Sequence, residues 1–142
     1  MKEITIDALI ENINTVTAFV DDLLDEIDCP MKSKIQIHIV IDEIFGNICH
    51  YAYKDSVGTV TVSVEFQNTP KAICLTFTDN GIPYNPLETE DPDITLSSEE
   101  RNIGGLGIYL VKRNMDEIKY EYINKQNRLW MEKNCKKLEK DE

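Results

Sequence analysis

The sequence predicts an α+β fold: a two-layer sandwich with a mixed, mostly antiparallel sheet covered on one face by helices. Three observations support this. Two long segments near the start repeat apolar residues at helical spacing. Two central segments place apolar residues on one side at strand spacing, separated by a short turn. The resulting order, β-α-α-β-β-loop-α-β-β, sets strands beside strands and leaves the helices to form a second layer. With 142 residues the chain suits one domain with its own core. That domain is expected over residues 1–136, followed by a charged tail at 137–142.

The first strand is expected at Lys2–Ile6, with Asp7 as the N-cap of the helix that follows. From Ala8 to Ile27 the positions Leu9, Ile13, Val16, Val20, Leu23, Leu24 and Ile27 form an amphipathic stripe. Asp28-Cys29-Pro30 ends it, because proline cannot continue a helix. A second helix is expected from about Lys32 to Tyr53, with Ile37, Ile41, Ile44, Ile48 and Ala52 on its apolar face. After a turn at 54–58, Thr59–Gln67 alternates with Val60, Val62, Val64 and Phe66 on one side. Ala72–Thr78 follows as its hairpin partner. Asn80 to Ile103 shows no periodicity and carries Pro83, Pro86, Pro92 and six acidic residues. A loop of that length in a compact domain is usually functional. A helix is expected from near Gly105, then strands at about 117–124 and 128–134, joined by a Lys125-Gln126-Asn127 turn.

Composition narrows the function. The net charge of −11 argues against nucleic acid, whose phosphates require a basic face. No apolar run approaches the length of a membrane span, and the first residues lack the pattern of a signal peptide, so a cytoplasmic protein without membrane contact is expected. The four cysteines form no CxxC pair and read as reduced thiols, with Cys49 and Cys74 as small buried hydrophobes.

Three segments carry chemistry. In the first, Glu43 and Asn47 stand i, i+4 on one helix face, beside the apolar stripe. Their oxygens suit Mg²⁺, and Glu43 can act as a general base; a solvated helix face fits the same residues. In the second, Asp79 ends an apolar strand and is followed by Asn80-Gly81. A carboxylate there can accept from the exocyclic amine of adenine while Gly81 lets the backbone run close to the ring; an ordinary β-turn is the alternative. In the third, Gly104, Gly105 and Gly107 open a helix whose free N–H groups favour anions; a hinge before a helix is the alternative. Neither a dinucleotide fingerprint nor a Walker A loop is present.

In this order, the three segments resemble those of the GHKL (Bergerat-fold) ATPases, with their Asn-bearing helix, Asp-x-Gly box, mobile lid and Gly-x-Gly box. Gly81-Ile82-Pro83-Tyr84-Asn85-Pro86, and Glu100-Arg101 ahead of Gly104-Gly105-Leu106-Gly107, are most similar to the small bacterial anti-sigma factor serine/threonine kinases. The resemblance implies that the chain binds ATP and Mg²⁺, with Asn47 as metal ligand, Glu43 as catalytic base, and Asp79 and Gly81 at adenine. It implies a lid over about 87–103. Arg101, Gly104, Gly105, Leu106 and Gly107 would then serve the nucleotide, with Gly105 and Gly107 donating backbone N–H groups to phosphate. The implied partners are an anti-sigma-factor antagonist, a sigma factor, or both, and a second copy of the chain. The implied activity is phosphorylation of the antagonist; a regulator that binds ATP and sequesters a sigma-like partner without phosphorylating is the alternative. One departure stands out. Many relatives carry a threonine on the last strands that reaches adenine through water, whereas this chain reads Asn127-Arg128-Leu129-Trp130-Met131. The acidic lid is also expected to close over a triphosphate only with help from Mg²⁺ or from basic groups such as Arg101, Lys112 and Arg113.

Overall fold

The computed structural model describes residues 1–54, 56–68, 71–88 and 103–135. Five strands form one sheet in the order β1-β2-β3-β5-β4: β1 Lys2–Asp7, β2 Thr59–Asn68, β3 Lys71–Asp79, β4 Glu117–Ile123 and β5 Gln126–Asn134. Every pairing among them is antiparallel. The helices are α1 Ile13–Glu26, α2 Met31–Asn47 and α3 Ile103–Asn114, and α2 runs on into a π turn at Ile48–Ala52.

The helical layer packs on one face of the sheet because the apolar stripes match. Val16, Val20, Leu23 and Leu24 of α1 and Ile37, Val40, Ile41, Ile44 and Phe45 of α2 are buried. They share one core with Val60, Val62, Val64, Ile73, Leu75, Phe77, Leu129 and Met131 from the sheet. Strand alternation places those sheet residues on a single face. The central strand β3 is also covered on its other side at Ala72 and Cys74. Among the described residues, no helix is long and apolar enough to cross a membrane.

Two local expectations are corrected. Asp7 does not cap α1: it pairs with Thr59 at the end of β1, so its backbone is committed to the sheet. The chain then makes a short 3₁₀ turn at Ile10–Asn12, and α1 begins at Ile13 instead of Ala8. The Asn12 amide donates to the Asp7 carbonyl at 2.9 Å. The closing hairpin also turns earlier than expected. Asn124 and Lys125 both adopt positive φ, 54° and 62°, and Ile123 pairs with Gln126. This is the two-residue turn whose twist matches that of the flanking strands. Gln126 and Asn127 therefore belong to β5.

The α1–α2 corner is a Schellman cap. Asp28 takes the left-handed conformation at φ 53°. Its N–H bonds Asp25 O at 3.3 Å, and the Cys29 N–H bonds Leu24 O at 3.1 Å. Pro30 then occupies the N-cap position of α2, which begins at Met31.

Candidate functional site

The register of the sheet decides what surrounds Asp79. Asp79 ends β3 directly opposite Asn127 of β5, so the two side chains share the inner face. Both are buried, at 5% and 6% exposure, although both are polar. Such burial requires partners, and the partners are present. Asp79 Oδ1 accepts from the Asn127 amide at 2.9 Å and from the Gly81 N–H at 2.8 Å. The Asn127 amide also donates to Ile82 O at 2.9 Å. Its carbonyl accepts from the Tyr84 N–H at 3.1 Å and from the Tyr120 hydroxyl. Asn127 thus ties together β3, β4, β5 and the loop after Asp79.

Burial pushes the Asp79 carboxyl above the ordinary carboxylate value, and the hydrogen bonds from Asn127 and Gly81 pull against that rise. No described donor reaches its second oxygen, Oδ2. Asp79 lines a pocket that opens to solvent between the helical layer and the sheet. Ile44, Asn47 and Ile48 come to this pocket from α2, Tyr51 and Ala52 from the π turn, and Phe77 and Leu129 from the sheet. Ile82, Tyr84, Pro86 and Tyr120 complete it. The walls are therefore flat aromatic and branched apolar side chains around one carboxylate and two amides. π turns recur at functional sites; here one follows directly on Asn47 and places Tyr51 and Ala52 on the pocket wall.

Glu43 and Asn47 meet as their spacing predicts, with Asn47 Nδ2 donating to Glu43 Oε1 at 3.1 Å. A carboxylate only accepts, so the amide nitrogen must face Glu43, and Asn47 Oδ1 is the atom left for another partner. Glu43 also lies against α3. A Cβ added at Gly107 would stand 2.0–2.1 Å from the Glu43 carboxylate. Glycine at 107 is what lets α3 approach this acid. Gly81 is constrained differently. A Cβ there would fall 2.4 Å from Ala52 O and 2.5 Å from Ala52 Cβ, and the next residue, Ile82, bonds Ala52 O at 3.1 Å. Its missing side chain is thus used against the chain's own π turn.

The structure therefore brings Asn47 and Asp79 to one pocket, with Glu43, Gly81 and Gly107 beside it. Gly104, Gly105 and Leu106 fall in the first turn of α3, and nothing further is described of them. Arg101 and most of the expected lid lie outside the described residues, as does the tail. Lys112 and Arg113 occupy the last turn of α3, roughly 10 Å along the axis from Gly105 at 1.5 Å per residue. The lid they are expected to help close lies mostly outside the described residues. His50 is exposed, with its ring centroid 6.0 Å from that of Tyr51. Sequence reasoning missed Asn127 and the tyrosines. The usable signal was Asn124-Lys125 as a two-residue hairpin loop, which would have moved Asn127 into the strand opposite Asp79.

An antiparallel sheet under one helical layer, with an acid-floored pocket between them, defines a class of small-ligand-binding α+β domain. The chain belongs to the histidine kinase-like ATPase domain family, whose pattern it matches over residues 6–133. It is 23% identical over 90 residues to the serine/threonine-protein kinase BtrW of Bordetella bronchiseptica, covering 63% of each chain. Its fold superimposes on a structure of the RsbU and RsbW domains of a Mycobacterium tuberculosis protein, with TM-score 0.67 and 15% identity, covering 97% of this chain and 34% of that one. It also matches the histidine kinase domain of a blue-light activated histidine kinase from Erythrobacter litoralis, with TM-score 0.55 and 16% identity, covering 75% and 46%. Membership of the family implies ATP binding.

Proposed function

We propose that the protein binds Mg·ATP in the Asp79 pocket and transfers the γ-phosphoryl group to a serine or threonine of a partner protein. The partner is an anti-sigma-factor antagonist, and the protein also holds a sigma-type factor. The likeness to BtrW, a serine/threonine-protein kinase, supports the reaction class. One observation carries the nucleotide assignment. Asp79 is a buried carboxylate with Oδ1 occupied by Gly81 and Asn127 and Oδ2 left for a donor in an apolar, ring-lined pocket. The exocyclic amine of adenine is such a donor, and a hydrogen bond to a charged group contributes about 1.5–3 kcal/mol. Asn47 Oδ1 and the phosphate oxygens are the hard ligands Mg²⁺ prefers, and the metal would neutralise charge on the triphosphate.

In the transfer step the partner's hydroxyl oxygen attacks the γ-phosphorus, the bond to the β-phosphate oxygen breaks, and ADP leaves. The hydroxyl proton passes to Glu43. Asn47 orients that carboxylate through its amide, and Gly107 permits its position. The test is transfer of labelled phosphate from ATP to a purified antagonist protein, with Glu43→Gln as control. Loss of transfer with ATP binding retained supports the assignment; a Glu43→Gln variant that transfers as well as the parent removes Glu43 as the base.

A second reading is favoured by Glu43 itself. Its carboxylate already accepts from Asn47 and packs on Gly107, as a positioning group would. In that reading ATP is a switch that controls partner binding, and the same assay shows nucleotide-dependent capture without labelled product.

A further inference from the structure

Cys29 and Cys135 stand 106 residues apart in sequence, yet their sulfurs are 3.4 Å apart. Both are buried, at 9% and 1% exposure. Each is held by its own backbone. The Cys29 N–H closes the Schellman cap of α1 on Leu24 O, and the Cys135 N–H bonds Lys71 O at 3.0 Å. The pair joins the α1–α2 corner to the end of β5, where Asn134 pairs with Ala72. Asp79 lies at the other end of β3, seven residues along, or roughly 23 Å at strand rise.

We propose that Cys29 and Cys135 form a reversible disulfide that fastens the α1–α2 corner to the end of the sheet, with a small peroxide as oxidant. The inference is independent of the nucleotide reading. Closing the sulfurs to covalent distance takes an approach of about 1.4 Å. The surroundings select this pair. The hydrogen bond between the two thiols lowers the Cys29 pKa against the opposing effect of burial, and Lys34, Lys71 and Lys133 add a favourable field. The same pairing and burial raise that of Cys135. The other two thiols are disfavoured: burial raises Cys49, and burial together with Glu132 pushes Cys74 up to about 11. The thiolate is the reacting form, and Cys29 is the more exposed of the two, at 9% against 1%, so Cys29 is the nucleophile.

The chemistry balances. The Cys29 thiolate attacks one oxygen of hydrogen peroxide, the O–O bond breaks, and hydroxide leaves, so Cys29 becomes a sulfenic acid. Cys135 sulfur then attacks Cys29 sulfur, the S–O bond breaks, and the Cys135 proton leaves with the hydroxyl as water. Two thiols lose two electrons to one peroxide, and the second water forms when hydroxide takes up the proton first lost by Cys29.

The experiment treats the full chain with hydrogen peroxide, maps cysteine-containing peptides without reduction, and follows urea unfolding before and after dithiothreitol. The expected result is a Cys29–Cys135 linked peptide, two remaining free thiols, and an unfolding midpoint that rises on oxidation and falls back on reduction. A cross-link constrains the unfolded chain most when the closed loop is long. Cys29→Ser and Cys135→Ser should each abolish the rise, while the parent alone serves if a variant folds poorly. Four thiols still reactive after peroxide, a link through Cys49 or Cys74, or conversion of Cys29 to sulfinic acid in place of a link would overturn the proposal.

Discussion

Asn127 is the residue on which the pocket is organised. Its amide donates to Asp79 and Ile82, and its carbonyl accepts from Tyr84 and Tyr120. Removing it takes one partner from the buried Asp79 carboxylate and one each from part-buried groups of Ile82, Tyr84 and Tyr120, where a lost partner on a buried group costs about 1–3 kcal/mol. Asn127→Ala is therefore expected to lower stability by roughly 3 kcal/mol, read from urea unfolding. Asp79 should behave in the opposite way. Burial raises its pKa, so the folded chain binds that proton more tightly than the unfolded chain does. Its ionised form then costs stability above the raised folded value, and the cost is relieved as pH falls through that value. Asp79→Asn keeps an acceptor for Gly81 and Asn127 without the charge. It should be as stable as the parent at pH 7, or more so, with the difference shrinking toward acid. The same variant should bind ATP at least about tenfold more weakly. Calorimetric titration beside urea unfolding separates the two effects; equal ATP affinity would remove Asp79 from the adenine site.

Two elements meet where α3 passes α2. Gly107 stands against Glu43, and a side chain there would displace the Glu43 carboxylate. That carboxylate ends a flexible side chain, so it can move aside at little structural cost. Alanine is also the better helix former, by about 1 kcal/mol at most. Gly107→Ala should thus fold with stability within about 1 kcal/mol of the parent, while phosphoryl transfer falls. Intact transfer in a folded Gly107→Ala would show that the Glu43 position is not needed. The closing hairpin offers a test on stability alone. Lys125 sits at φ 62°, a conformation that disfavours a Cβ, and Asn-Gly is the sequence such a turn prefers. Lys125→Gly is expected to stabilise by about 0.5–1 kcal/mol, measured as a higher unfolding midpoint with unchanged nucleotide binding.

At the scale of the molecule, the site joins both layers: α2 and its π turn, the ends of β3 and β5, and the loop after Asp79 all contribute to one pocket. Filling it should stabilise the whole fold. At a free Mg·ATP concentration about 100 times Kd, the gain is about 2.7 kcal/mol. For a domain of this size that corresponds to a melting temperature higher by roughly 5–10 °C. The shift should disappear in Asn47→Ala if the amide oxygen is needed for the metal, and differential scanning fluorimetry reads it. A parent protein that shows no shift would remove both ATP-based readings.

The sequence by itself determined the layer architecture. Period-two alternation in β2 and the 3.6-residue stripes of α1 and α2 encode which faces are buried, and those faces are the ones the fold packs. It also determined that Glu43 and Asn47 meet, since an i, i+4 contact is local. Tertiary structure alone decided the rest. Asp79 and Asn127 are 48 residues apart, and only sheet register sets them opposite each other. That register hangs on a turn at Asn124-Lys125, where a lysine in the left-handed conformation disguises the signal a glycine would have provided. Cys29 and Cys135 are a longer version of the same case: no periodicity links them, and their contact exists only because a helix cap and a strand end meet at one edge of the core.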